Sequence, residues 1–277
     1  MKKSFTLTLV ILTLATLCGC HRDKKEFSTT LQGGSCQMIL TQTDDYWPDG
    51  NTLGLKNSYS LVWPDEGVLT SEAEHELLLR YFGDSTATTF EQAANNWLHT
   101  SWLYEEDMPS LKKQTVDSIP DGMPYNYGDL RSEYSANGNI GTFSIFEECS
   151  AHLAAHGMYF AQYLNIDLDT RQVIHFNDLV DTAQLGEVIV RAVEDLTVNK
   201  DVLDCLFDDY QQSGCLPVPQ DFLIDSTRST ITLVYQLYEI APYACGIQSI
   251  VLPIFWLSKH IPLTPYAKEL FGEGCSL

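Results

Sequence analysis

Positive charge is scarce in this sequence: 16 Lys and Arg stand against 37 Asp and Glu in 277 residues, a formal net charge of −21. A chain this anionic is repelled by nucleic acid and by anionic membrane surfaces, so no nucleic-acid partner is expected, and cationic partners are favoured. Long apolar runs are scarce too. Beyond residue 17 nothing approaches the ~20 consecutive apolar residues that a membrane-spanning helix needs. Several signatures are missing altogether. There is no Gly-x-Ser-x-Gly elbow, P-loop or Rossmann glycine set, and no CxxC or Cys/His zinc spacing. The sequence therefore predicts no cofactor, no metal site and no catalytic residue set.

What is present begins at the first residues. Lys2 and Lys3 form a basic start, and Phe5 to Leu17 is an apolar run broken only by threonines. That is the length of a signal-peptide core, not of a membrane span. It ends in Leu17-Cys18-Gly19-Cys20, which looks like the lipobox of bacterial lipoproteins, with a leucine at −3 and a small residue at −1. Cys18 at −2 is looser than the usual small residue. The reading is a signal peptide over 1–19 and lipidation at Cys20, so that the mature chain meets the membrane through an N-terminal lipid in the cell envelope, on the periplasmic face or the cell surface. An ordinary secretory signal cleaved elsewhere, or an uncleaved anchor, is the alternative. The charged run His21 to Glu26 reads as a solvated tether, and a sorting signal is the sharper reading. The tether is expected over 20–34, ending at Gly33-Gly34.

Removing Lys2 and Lys3 with the leader leaves 258 residues carrying 14 basic against 37 acidic side chains, a net −23. Aromatic content of 11% with five tryptophans argues for a packed core rather than disorder. Cys36, Cys149, Cys205, Cys215, Cys245 and Cys275 remain besides Cys18 and Cys20. An even number outside the cytoplasm suggests disulfides, with 15 pairings open. Cys205 with Cys215 is the expected pair, because a short loop loses least entropy on closing. Buried free thiols are the other reading.

Along the chain, Gln37–Thr43 and Tyr59–Trp63 read as strands, the second stopped by Pro64. Ser71 to Phe82 reads as a helix with Ser71 at its N-cap and Glu74 closing a capping box, and Phe90 to Tyr104 as a second helix. Residues 105–137, rich in Asp, Pro, Gly and Ser, read as a long irregular connection with turn chemistry at Pro120-Asp121-Gly122. Strands follow at Thr142–Phe146, Met158–Asp167 and Val173–Phe176, with a hairpin turn at Asp169-Thr170-Arg171. Helical patterns occupy Leu185–Leu196 and Val202–Tyr210. The chain finishes in strands at Asp221–Ile224, Thr230–Tyr238 and Gln248–Leu252, then a helix from Pro265 to Phe271. The expected class is α+β, antiparallel sheets with inserted helices, divided into subdomains at 35–138 and 139–277.

The C-terminal half carries a resemblance. Tyr238-Glu239-Ile240-Ala241-Pro242-Tyr243-Ala244-Cys245-Gly246, followed by Val251-Leu252-Pro253, is similar to the hallmark of a bacterial extracytoplasmic domain of unknown function. That domain is shared by the anti-sigma factor RsiV and the accessory region of the deacetylase PdaC. Ala154-Ala155-His156-Gly157 is similar to a glycine-rich turn of that family, and Ile166 to Leu179 to its hairpin. Three departures stand out: Ala154 for the first glycine of the turn, Arg171 for the glycine of the hairpin, and Cys245 for a usual alanine. The resemblance covers about residues 35–262. It implies a binding module: in the deacetylase the module accompanies the catalytic domain, and in the anti-sigma factor it is the receptor for lysozyme. A chain that begins at a signal peptide would have no cytoplasmic segment to hold a sigma factor.

Candidate binding residues are Tyr238, Glu239, Tyr243 and His156. The Tyr238–Gly246 stretch has a structural reading, a kink shaped by Pro242 and Gly246, and a functional one, an aromatic-walled groove. His152 and His156 have a spacing that could ligate a metal with His175, Asp167 or Asp169, although His156 already has a reading as part of the family turn. The expected function is binding or sensing of a cationic extracellular protein such as lysozyme. A carbohydrate-active accessory or hydrolase and a structural envelope lipoprotein are the alternatives. A pocket with perturbed carboxylates would favour the enzyme, and a broad acidic face the binder.

Overall fold

A computed structural model describes residues 27–42, 52–99, 111–227 and 229–272. Cys18, Cys20, Cys275 and the signal segment lie outside them. The architecture is α+β. Seven strands form the larger sheet: β1 (Thr29–Gln42), β2 (Thr52–Pro64), β3 (Leu111–Thr115), β4 (Tyr125–Asn137), β5 (Ile140–Ser150), β6 (Met158–Asp167) and β7 (Gln172–Val173). Their order is β3-β1-β2-β4-β5-β6-β7, antiparallel throughout except for the parallel pair β2–β4. Parallel neighbours need a crossover. Here it carries α1 (Ser71–Phe82), α2 (Phe90–His99) and the edge strand β3. A second sheet, β8 (Asp221–Asp225), β9 (Thr230–Tyr235) and β10 (Gln248–Pro253), is antiparallel in the order β10-β9-β8.

Period-two burial builds the first sheet. Cys36, Met38 and Leu40 of β1 point inward, and Leu53, Leu55 and Leu61 of β2 likewise. α1 and α2 cover one face, where Leu77, Tyr81, Phe82, Phe90 and Ala93 pack on Leu61, Leu130, Phe143, Ile145, Leu164 and Ile166. Each such leucine, fully buried, stabilises the fold by about 1.5–3 kcal/mol. The second sheet packs on α4 (Leu185–Asp195) and on α7 (Ile254–Leu257) and α8 (Pro265–Phe271) around Ile189, Val193, Leu233, Ile250, Leu252 and Leu257. The short helices α3 (Phe176–Leu179), α5 (Lys200–Leu203) and α6 (Asp208–Ser213) fill the connections.

The two sheets meet at the free edge of β6, and side chains take the place of a backbone ladder there. The Gln236 amide donates to the Ala161 carbonyl at 2.7 Å and accepts from the Ala161 N–H at 3.1 Å. Tyr163 N–H donates to Asp221 at 3.1 Å, and the Asn165 amide donates to the Phe222 carbonyl at 2.7 Å. An edge that would otherwise leave buried polar groups unpaired is thereby satisfied.

Several expectations are corrected. The tether was expected to reach residue 34, but β1 starts at Thr29. Gly33-Gly34 lies inside it because the ring of its cross-strand partner Tyr59 lies over Gly34, where a Cβ would meet the ring at 2.6 Å. The irregular stretch 105–137 contains β3 and β4. In β4 the inward positions include Asn126 and Ser132 as well as Leu130, so apolar alternation is absent from its sequence. The boundary expected at 138/139 falls on the turn of the β4–β5 hairpin, and the sheet and its core run through it. Thr70, not Ser71, caps α1, its hydroxyl accepting from Ala73 N–H. The helix expected over 202–210 is broken into α5 and α6, and the strand expected over 173–176 is only β7.

Candidate functional site

The turn after β9 builds an exposed platform. Glu239 N–H donates to the Gln236 carbonyl at 3.1 Å, and the Glu239 carboxylate accepts from Gln236 N–H at 2.8 Å, so the turn is closed twice. This holds Tyr238 in the left-handed region at φ 65°, costly for a side chain with a Cβ, and leaves it 49% exposed. The Tyr238 hydroxyl meets His156 Nε2 at 3.2 Å. The His156 ring stacks on Tyr243 with centroids 3.7 Å apart, and Tyr243 OH donates to the Gly157 carbonyl at 3.0 Å. His156 comes from the loop before β6 and the tyrosines from the turn after β9, so the fold brings together residues about eighty positions apart in sequence.

The aromatic surface continues over the open face of the large sheet. Tyr159 of β6 sits edge-on to Tyr243 and stacks with the exposed Phe146 of β5, over which the Arg131 guanidinium lies at 5.5 Å. Next to Tyr238, a hollow of about 530 Å³ is walled by Tyr210, Glu239, Asp208 and Asp209. Both aspartates are exposed, while burial pushes the Glu239 carboxyl above its ordinary range. All four residues expected to bind, Tyr238, Glu239, Tyr243 and His156, lie in this one neighbourhood. Tyr159, Phe146, Asp208 and Asp209 were missed; β-pairing joins the first two, and nothing local in the sequence marks it. The metal candidates are scattered. His175 faces Glu76 at 3.6 Å, Asp167 accepts from Tyr266 and from the 168–170 turn, and His152 N–H donates to Asn126.

Cys205 is bonded to Cys245, Cα atoms 6.0 Å apart, and not to Cys215. The short loop does not close on itself because α6 occupies most of the chain between residues 205 and 215. The Cys215 thiol instead packs where α4 comes closest, at Gly186, whose added Cβ would meet it at 2.6 Å. Cys36 and Cys149 are buried free thiols. The bond ties the 3₁₀ turn Tyr243–Cys245, and with it the platform, to the end of α5.

A second concavity, about 930 Å³, opens between α1 and the edge of β6 where the two sheets meet. Arg80 on its wall pairs with Asp221 at 2.9 Å, both nearly buried. Glu147, on the floor, accepts from the Trp97 indole, and burial pushes its carboxyl up.

This arrangement of a seven-stranded sheet, crossover helices and a three-stranded second sheet has solved counterparts. A DUF3298-family protein from Bacteroides fragilis superposes with a TM-score of 0.52 at 17% identity, over 88% of this chain and 98% of that one. A DUF3298-family protein from Pseudomonas aeruginosa gives 0.53 at 14% identity, over 88% and 97%. Residues 188–254 match the family model described as a protein of unknown function, DUF3298. The matched segment runs from α4 through β10 and includes the Tyr238–Gly246 turn. No curated protein matches the chain significantly.

Proposed function

We propose that this protein is a membrane-tethered extracytoplasmic binding or sensing lipoprotein, anchored through Cys20, that docks a cationic protein of lysozyme-like charge on the Tyr238–His156–Tyr243 platform. One observation carries the reading: the exposed Tyr238 ring, its hydroxyl on His156, stands beside Asp208, Asp209 and Glu239. Aromatic faces take Lys and Arg side chains by cation–π contact, and the carboxylates complement the same charges. The net −21 of the chain steers such a partner at long range. The resemblance to the module of RsiV and PdaC points the same way.

The test is calorimetric titration of residues 21–277, which keep Phe27 stacked on Tyr134, with lysozyme at low and at ~150 mM salt. Saturable binding at the higher salt, weakened by substituting Tyr238, is expected. Binding that vanishes with salt would leave only diffuse attraction and overturn the proposal. The anchor is tested separately: Cys20→Ala in the producing cell should move the protein from the membrane fraction to the soluble one.

A further inference from the structure

The cleft beside α1 shares no residue with the hollow beside Tyr238. Its floor is the helix-facing side of β5 and β6, with Glu147 and Leu164; Trp97 of α2 stands at Glu147, and Leu79, Phe82 and Phe222 supply apolar walls. Among the described residues, the only Lys or Arg on the lining is Arg80, neutralised by Asp221 at 2.9 Å. Three carboxylates, Glu72 and Glu76 on α1 and Glu147 on the floor, share the space with His75 and with His175, whose Nε2 faces Glu76 at 3.6 Å; among the described residues no Lys or Arg pairs with Glu72 or Glu147. Anionic ligands are repelled from such a site. Among the described residues the Trp97 indole donates to Glu147, and a carboxylate with one such donor retains acceptor capacity toward the cleft. Burial has already made its charge costly, so a cation that pairs with it relieves that cost.

The carboxylates lie in two places, with apolar surface between them. That pattern matches a ligand with ammonium groups separated by methylenes. The volume, about 930 Å³, is that of a small-molecule site rather than a side-chain gap. We infer that this cleft binds a linear polyamine, one ammonium on Glu147 against the Trp97 ring and another on Glu72 or Glu76, with the methylene stem along Leu79 and Phe82. The inference is independent of the docking platform, which uses different residues. A neutral oligosaccharide could also stack on Trp97, but it would leave Glu72 and Glu147 without a cation.

The experiment is calorimetric titration of residues 21–277 with spermidine at ~150 mM salt, where diffuse attraction is screened. Saturable one-to-one binding is expected. Glu147→Gln should weaken it by about tenfold or more, as expected for loss of a charge-assisted contact. The double substitution Asp208→Asn/Asp209→Asn, distant in the fold and equal or greater in charge removed, should leave it unchanged. If Glu147→Gln does not fold by circular dichroism, Glu72→Gln/Glu76→Gln on α1 makes the same test. No saturable heat, or equal weakening by the Asp208/Asp209 pair, overturns the inference, as does binding of an N-acetylglucosamine oligomer that spermidine fails to displace. Lysozyme titrations run in parallel separate the two sites: Tyr238→Ala should affect only lysozyme, and Glu147→Gln only spermidine.

Discussion

Arg80 of α1 and Asp221 of β8 form a nearly buried ion pair at 2.9 Å that fastens the helix layer of the first sheet to the edge of the second. The same carboxylate accepts from Tyr163 N–H of β6 and from the Gln236 amide, so one side chain joins three elements. Burial pushes the Asp221 carboxyl up, and the guanidinium and the two hydrogen bonds pull against it. Removing Arg80 leaves the charge uncompensated, and Arg80→Ala should cost about 3–5 kcal/mol in urea unfolding. Without Arg80 the folded-state pKa of Asp221 rises further above its unfolded value, so stability is lost as pH rises through that window. The deficit should be larger at pH 7 than at pH 4. A deficit independent of pH would mean that Asp221 stays charged and compensated by other groups.

How much of this was legible in the sequence depends on whether the signal was local. α1, α4, β6, β8 and the Pro265 start of α8 were readable because apolar period and end signals agree within each segment. β4 was not: Tyr125 to Asn137 buries Asn126 and Ser132 beside Leu130, and its place between β2 and β5 is set by partners distant in sequence. The stitching of β6 by Gln236, Asp221 and Asn165 was equally invisible, since nothing about an isolated Gln or Asn marks it as a substitute for a strand. At the platform, Tyr238, Glu239, Tyr243 and His156 were singled out through a family resemblance. Their actual assembly depends on a left-handed turn and a cross-chain stack that no spacing encodes. The cleft at Glu147 left no signal, because its walls come from six separate segments.

The Cys205–Cys245 bond closes a loop of 40 residues around α6, β8 and β9. Its loss should cost about 2–4 kcal/mol. Cys245→Ala, the residue at this position in the family resemblance, is the informative variant, and Cys215→Ala should leave stability unchanged. Peptide mapping without reductant should recover residues 205 and 245 in one linked fragment. Recovery of a 205–215 fragment would contradict the structure.

Tyr238 separates stability from binding. Its left-handed backbone costs roughly 1 kcal/mol that glycine would not incur. Its half-exposed ring recovers little by burial. Tyr238→Gly should therefore hold or raise thermal stability while weakening lysozyme binding about tenfold, a loss typical of an interface aromatic. A variant that unfolds more easily would show that the ring supports the turn rather than a partner.

Asp84, in the loop between α1 and α2, gives the clearest acid response. Its carboxylate accepts from the Thr86 hydroxyl at 2.6 Å, the Asn96 amide at 2.8 Å and the Thr86 N–H at 2.8 Å, with Ala87 N–H at 3.2 Å. These bonds, the Thr86 hydroxyl first among them, bring its pKa down to about 2. A depressed folded-state pKa means that the unfolded chain binds the proton first on acidification. The stabilisation is therefore fully present above the ordinary carboxylate range near pH ~4 and is lost as pH falls from there through about 2. Asp84→Asn keeps the shape and one acceptor but removes the charge. Its deficit against the parent in urea unfolding should be constant from pH 5 to 7 and should shrink as pH falls from ~4 toward ~2. The loop joins the two helices that cover the first sheet, so the protection of the Thr86 and Ala87 amides, measured relative to the intrinsic exchange rate at each pH, should fall over the same interval. Protection that persists while the deficit shrinks would place the acid-sensitive group elsewhere in the helix layer.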